Sequence, residues 1–295
     1  MKQQPNSQST PTIMDCQLCA KDRKLENSHI IPKFIFDWIK RTGTGGLRMT
    51  ENLNVRVQDG IKVPFLCAEC EDLFGGSERY FSKHIFYPIV NEDSNSFEYN
   101  EKLFYFAISV LWRTLKHSLL AVEKDQPHYL KLLAAEQQWQ NYLLKGQQIS
   151  DFNQLHLLIG VDFTEGNEGL DLPDRFIQYM GRGVDAGIAE NETECMIFLK
   201  LPRFIFIVPI CGFDSNKMIN TEINKSGGSY LVNVARIENP TIGKFFIEKI
   251  RSLDKIFEEI SPAQREKMRA KYVEKWDELK GKDLRRILEY ERKVL

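Results

Sequence analysis

The spacing of apolar positions changes twice along the chain. Between residues 98 and 146 it is helical: Leu103, Phe106, Val110, Leu111 and Leu115 recur every three or four residues, with Trp112 and Arg113 among them. Asn100 stands where an N-cap belongs. A second helix is predicted from about 128 to 145, with Gly146 as its stop. From 150 the apolar residues gather into short runs separated by Gly, Pro, Asn and Asp. Residues 155–163, 175–179, 195–199, 204–209 and 230–234 read as strands, and 165–169 as a loop. Helical spacing returns near Pro240, giving an amphipathic segment over 244–260. Ser261 and Pro262 then open a charged final helix as its cap and first residue. Its stripe of Met268, Tyr272, Trp276, Leu279 and Ile287 is interrupted at Asp283, where the period asks for an apolar residue. That stripe fits either the core or a second subunit.

The first third is less regular. Residues 1–12 are polar and rich in Pro, Ser, Gln and Thr, which predicts a disordered tail and no secretory signal. Residues 33–40 suit a short helix or a buried strand. The T-G-T-G-G of 42–46 predicts a turn; it lacks the spacing and the Lys-Ser/Thr pair of a phosphate-binding loop. Residues 54–65 alternate around Asp59-Gly60 and predict a hairpin. From Cys70 the pattern is helical, with a break expected at Gly75-Gly76 and a new helix capped by Ser77. Residues 91–97 read as a polar linker.

At 295 residues the chain holds one large domain or two ordinary ones, and 42% apolar content suits a globular core. A net charge of -1 argues against a generic basic coat for nucleic acid, though it leaves room for a local basic face. No run approaches the roughly 18 apolar residues of a membrane span. The expectation is a soluble cytoplasmic protein. Six cysteines in a chain of this size do not form a secreted disulfide scaffold. Cys195 and Cys211 stand singly and read as small buried hydrophobes.

The other four fall in two C-x-x-C pairs, Cys16 with Cys19 and Cys67 with Cys70. Each pair offers two thiolates to one ion, and four complete a tetrahedral structural zinc site. Here 47 residues separate the pairs, against about 15–20 in a zinc ribbon. The longer loop adds only about 0.8 kcal/mol of closure entropy, whereas structural zinc contributes on the order of 10 kcal/mol.

Between the pairs lies Ser28-His29-Ile30-Ile31-Pro32, and behind the second pair a predicted helix. In this order of motifs, over residues 14–88, the chain resembles the zinc-containing branch of the HNH, or His-Me finger, endonucleases. The resemblance implies a treble-clef-like ββα module held by zinc. It also implies phosphodiester hydrolysis, with a histidine as general base and Mg²⁺ or Mn²⁺ at the phosphate. By position that base is His29. Ser28 stands where the family often has a metal-ligating Asp or His. The Asn usual before the second pair is missing from I-K-V-P-F-L. Glu71, Glu78 and His84 follow the second pair as candidates for the remaining metal ligand. The plainer reading makes His29 a packing histidine beside the zinc site and Glu78 a solvated carboxylate. Lys33, Arg79 and Lys83 fit phosphate contacts or ordinary surface. His117 and His156 read as core histidines, and Arg113 as the partner of a carboxylate.

The predicted fold is α+β. A zinc-stapled module over 13–90 is followed by a helical segment over 98–146, a β-rich region over 150–243 and C-terminal helices over 244–295; 98–295 could form one domain. The leading expectation is a metal-dependent DNA endonuclease, akin by resemblance to bacterial restriction or phage-defence effectors. The alternative is a catalytically inactive, zinc-stabilised adaptor for nucleic acid or protein. A lesser reading makes the β-rich part a small-ligand sensor. DNA is the expected partner, with a protein partner or homodimer through the C-terminal helices.

Overall fold

The computed structural model describes residues 14–44, 46–48, 53–92, 94–147, 149, 154–160 and 171–294. The tail expected over 1–12, the loop expected over 165–169 and the far end of the strand expected over 155–163 lie outside them. Two short strands, β1 (Met14–Asp15) and β2 (Asp22–Arg23), bracket the first cysteine turn. β3 (Leu25–His29) precedes α1 (Lys33–Thr42), and β4 (Lys62–Cys67) runs straight into α2 (Ala68–Phe81). A π-helical turn, Ser82–Phe86, links α2 to α3 (Tyr87–Glu92). β5 (Ser96–Asn100) leads into α4 (Glu101–Ser118) and then α5 (Tyr129–Lys145). Next come β6 (His156–Ile159), α6 (Phe176–Arg182), β7 (Asp185–Glu190), β8 (Cys195–Leu201) and β9 (Phe204–Cys211). Three short strands follow, β10 (Met218–Ile219), β11 (Gly227–Leu231) and β12 (Arg236–Ile237). The chain closes with α7 (Pro240–Glu258), α8 (Pro262–Glu274) and α9 (Asp283–Val294).

The largest sheet is antiparallel, in the order β6-β9-β8-β7. β8 is buried along its whole length because both faces are covered. On one face Ile197, Leu199, Phe204 and Phe206 join α4 and α5. On the other, Met196, Phe198, Ile205 and Ile207 meet Ile242, Phe246 and Ile250 of α7 and Tyr179 of α6. A strand covered on both sides reads as a continuous apolar run. The exception, Lys200, is fully buried and donates to the carbonyls of Gly183 and Leu201; burial brings its pKa down to about 7. The first of these cores also takes in Cys16, Leu18, Cys67 and Cys70. Phe81 of α2 stacks on Phe106 of α4 at 4.0 Å and meets Phe204 and Phe206 edge-on. The cysteine module and the large sheet therefore share one interior. No helix among the described residues is long and apolar enough to cross a membrane.

Several expectations change. The Asp59-Gly60 turn closes no hairpin: β4 pairs with β3, and Val57 bridges to Leu47. The turn is held elsewhere, by Asp59 bonding to His29 and by Gly60 lying under Phe36, whose ring atoms stand 2.2 Å from where a Cβ would sit. α2 runs unbroken through Gly75-Gly76, with Ser77 buried inside it. Its apolar face, Cys70, Phe74 and Phe81, is committed to the core, which outweighs the low helix propensity of the pair. Residues 175–179 lie in and before α6, not in a strand. The linker over 91–97 gives way to β5 at Ser96, because β11 supplies a pairing partner far along the chain; β11 itself ends at Leu231. The segment 33–40 lies in α1. The final helix is two helices, separated by a turn in which Gly281 has φ 75°. The caps at Asn100 and Ser261 and the left-handed stop at Gly146 are present as read.

Candidate metal centre and the His29 corner

The first C-x-x-C is a closed turn. Cys16 N–H donates to Lys21 O at 3.0 Å and Ala20 N–H to Cys16 O at 2.8 Å, with Ala20 in the left-handed region at φ 55°. Cys67 ends β4 and caps α2, and Cys70 sits in the first turn of that helix. Pairing of Leu25 with Cys67, and of Gln17 N–H with Phe65 O at 3.0 Å, brings turn and helix together. Gln140 of α5 donates to the carbonyls of Gln17 and Leu18, fixing the turn from outside. All four sulfurs lie within 4.8 Å of one another, and Cys19 and Cys67 are 3.9 Å apart.

A tetrahedral zinc at about 2.3 Å from each sulfur requires sulfurs about 3.8 Å apart. The arrangement can hold a metal ion such as zinc, and four soft thiolates suit that ion. The thiols do not share one electrostatic environment. Burial and the neighbouring thiols push Cys70 far up. At Cys16 burial acts the same way, but backbone N–H donors, including that of Cys67 at 3.3 Å, outweigh it and bring the pKa to about 7. Four ionised sulfurs this close repel one another unless a cation lies between them.

His29 ends β3 at the rim of this module, opposite Lys62. Its side chain is 19% exposed, and its Nε2 lies 2.9 Å from Asp59 Oδ2. Lys62 Nζ reaches the same oxygen at 2.9 Å, and Gly60 N–H donates to Oδ1. Burial opposes ionisation of Asp59, but the bonds from His29, Lys62 and Gly60 prevail and lower its pKa to about 2. An ionised carboxylate only accepts, so Nε2 carries a proton and Nδ1 of the neutral ring carries the lone pair. Behind the histidine, the guanidinium of Arg113 donates to His29 O at 3.0 Å and to Glu78 Oε1 at 2.7 Å. Arg113 is only 2% exposed and lies over the Phe74 ring, so α4 ties the end of β3 to the middle of α2.

Of the residues singled out from sequence, His29 and Glu78 are thus linked through one side chain. No hydrogen bond or ion pair among the described residues joins Glu71 or His84 to them. Glu71 is half-buried one turn into α2, and exposed His84 lies against the Tyr80 ring, 5.1 Å between centroids. Ser28 faces inward, accepting from Leu66 N–H and donating to Glu26 O, so it is a strut of the bulged β3-β4 pair. Lys33, Arg79 and Lys83 are exposed. His156 is a core histidine; His117 is not, being half-buried at the end of α4. Arg113 finds its carboxylate in Glu78. The residue that sequence reasoning missed is Asp59. Its one signal was the Asp-Gly turn, whose local reading pointed to a hairpin. No family model, curated protein or solved structure matches the chain.

Proposed function

We propose that the chain is a metal-dependent nuclease of the HNH type that hydrolyses DNA phosphodiester bonds, with His29 as general base. The observation carrying this reading is the pairing of His29 Nε2 with ionised Asp59, on a partly exposed ring at the end of a strand beside the cysteine site. That contact orients the ring and leaves Nδ1 to take a proton from the attacking water. The imidazolium so formed is stabilised by Asp59, whose own charge is already tempered by Lys62. Zinc on the four cysteines would hold β4, α2 and the first turn in place and take no part in the reaction.

A hard divalent ion needs one or two carboxylates and completes its shell with water and phosphate oxygens. Glu78 fits that need best: its side chain is 25% exposed, and its bond to Arg113 is through Oε1. Bound there, such an ion would stabilise charge on the scissile phosphate. Arg79 and Lys83 on the same stretch of chain would meet the nucleic-acid backbone. Supercoiled plasmid incubated with the protein and Mg²⁺ or Mn²⁺ should be nicked or linearised, and chelation of the added ion should stop it. A zinc-loaded protein that leaves both DNA and RNA intact would contradict the proposal.

Two observations favour the second reading, an adaptor without activity. Glu78 is already neutralised by a buried arginine, and Ser28 is turned away from the corner. On that reading Asp59 and Arg113 fix the shape of a binding surface. Binding of nucleic acid with no cleavage under any divalent ion would select it.

A further inference from the structure

Away from the His29 corner, three elements build a histidine–thiol pair that the nuclease reading does not use. His128 stands at the N-terminus of α5 and is 4% exposed. Its Nε2 lies 2.8 Å from the carbonyl of Asn191, in the turn between β7 and β8. A carbonyl only accepts, so Nε2 donates and Nδ1 bears the lone pair. Cys211 Sγ lies 3.4 Å from that Nδ1, so the thiol is the donor to it. The turn is itself fixed: Asn191 Oδ1 accepts from the N–H groups of Thr193 and Glu194. Next to Cys211, Gly212 has φ 83° and lies so close that a Cβ there would stand 2.4 Å from Thr193 O. The sulfur is thus held against a ring nitrogen that can take its proton, at an edge fixed by the β7-β8 turn.

A second thiol is within reach. Cys195 is the partner of Cys211 in the β8-β9 register, at a bulge that follows Cys195, and packs in the same core. Directly opposite residues have Cα atoms about 4.5–5.5 Å apart, inside the roughly 4.4–6.8 Å that a disulfide spans. Cys211 is half-buried, whereas Cys195 is fully buried and burial raises its pKa to about 12. The two thiols are therefore unequal: one is reachable and paired with a base, the other shielded.

We propose that Cys211, activated by His128, is a reactive thiol oxidised by small hydroperoxides, and that Cys195 resolves it to a disulfide joining the ends of β8 and β9. In the first step His128 Nδ1 takes the thiol proton and the sulfur attacks one peroxide oxygen. An S–O bond forms and the O–O bond breaks. The departing oxygen leaves as an alcohol, or as water, with the proton from His128. Cys211 becomes a sulfenic acid, oxidised by two electrons, and the peroxide is reduced by two. In the second step the sulfur of Cys195 attacks that of Cys211. The S–S bond forms, the S–O bond breaks, and the hydroxyl leaves as water with the Cys195 proton.

The test uses the full-length, zinc-loaded protein with hydrogen peroxide, followed by peptide mass mapping. The peptides holding 195 and 211 should become joined, with loss of two hydrogens. In Cys195→Ala, dimedone should instead trap a sulfenic acid on Cys211. Iodoacetamide should alkylate Cys211 on the order of tenfold more slowly in His128→Gln, since each pKa unit is tenfold in thiolate. If that variant fails to fold, the wild-type alkylation rate against pH decides: an apparent pKa below about 8.5 supports the proposal. Cys211 left reduced under peroxide, or a wild-type apparent pKa at or above the ordinary thiol value, would overturn it.

Discussion

At Asp59 three donors converge on one carboxylate, and its folded pKa of about 2 is the result. The sign follows directly. A depressed pKa contributes stability that is present above the unfolded value of about 4 and is lost as the pH falls through 2. Because the side chain is only 14% exposed, the contribution is roughly 2 kcal/mol at neutral pH. Asp59→Asn should remove most of it in urea unfolding at pH 7. On the proposed nuclease reading it should also slow cleavage by about 10- to 100-fold, the scale on which a histidine loses activity with its orienting partner. The opposite case is His156, buried with Nδ1 on Thr221 and Nε2 without a partner among the described residues. Burial lowers its pKa to about 4, so the fold holds the neutral ring. Stability is therefore full above about 6.5 and falls as the pH drops toward 4, by on the order of 3 kcal/mol. Urea midpoints across that range should show the slope, and His156→Gln should flatten it. The cysteine quartet was legible in the sequence because its ligands are close in pairs and leave few other readings. The partner of His29 was not, because Asp59 lies 30 residues away and its neighbourhood suggests a turn. Cys211 read as a buried hydrophobe for the same reason: nothing near it in sequence announces His128.

Among the elements, α2 shows tertiary packing overriding propensity. Gly75 and Gly76 have nothing within 4 Å of where a Cβ would stand. Alanine at either position should stabilise the protein by about 1 kcal/mol, read as a higher melting temperature. A lower one would mean that the helix needs its glycines. The β8-β9 turn runs the other way. Arg203 sits there at φ 67°, a conformation disfavoured for a side-chain-bearing residue. It is held by a buried pair with Asp283 and by donation to Ile89 O. Asp283 is the residue that broke the apolar stripe of the last helix; its misfit to the period marks the position where α9 is joined to the sheet. Asp283→Ala removes a buried carboxylate that accepts from Arg203 through both oxygens and should cost about 1.5–3 kcal/mol in urea unfolding. Hydrogen exchange in α9 should rise with it. Helices with long apolar stripes and caps, such as α4 and α5, could be read locally. α6, β5 and the course of 54–65 could not, because their conformation depends on partners distant in sequence.

For the whole molecule the decisive feature is the shared interior. The cysteines lie in the same core as α4, β8 and β9, and Gln140 and Arg113 join the module to both long helices. Stripping a metal held by the four cysteines with a strong chelator should therefore lower the melting temperature of the whole chain in a single transition, not melt the first 90 residues alone. The same continuity places His29 on a support that is fixed from three sides. The measurement that tests the account most directly is cleavage of supercoiled plasmid by wild type and His29→Ala side by side, with zinc content and melting temperature recorded for both. The account predicts that His29→Ala keeps its metal and its fold and loses about 10²- to 10⁴-fold in rate, the scale of a general base. A folded, zinc-loaded His29→Ala that cleaves as fast as wild type would contradict it.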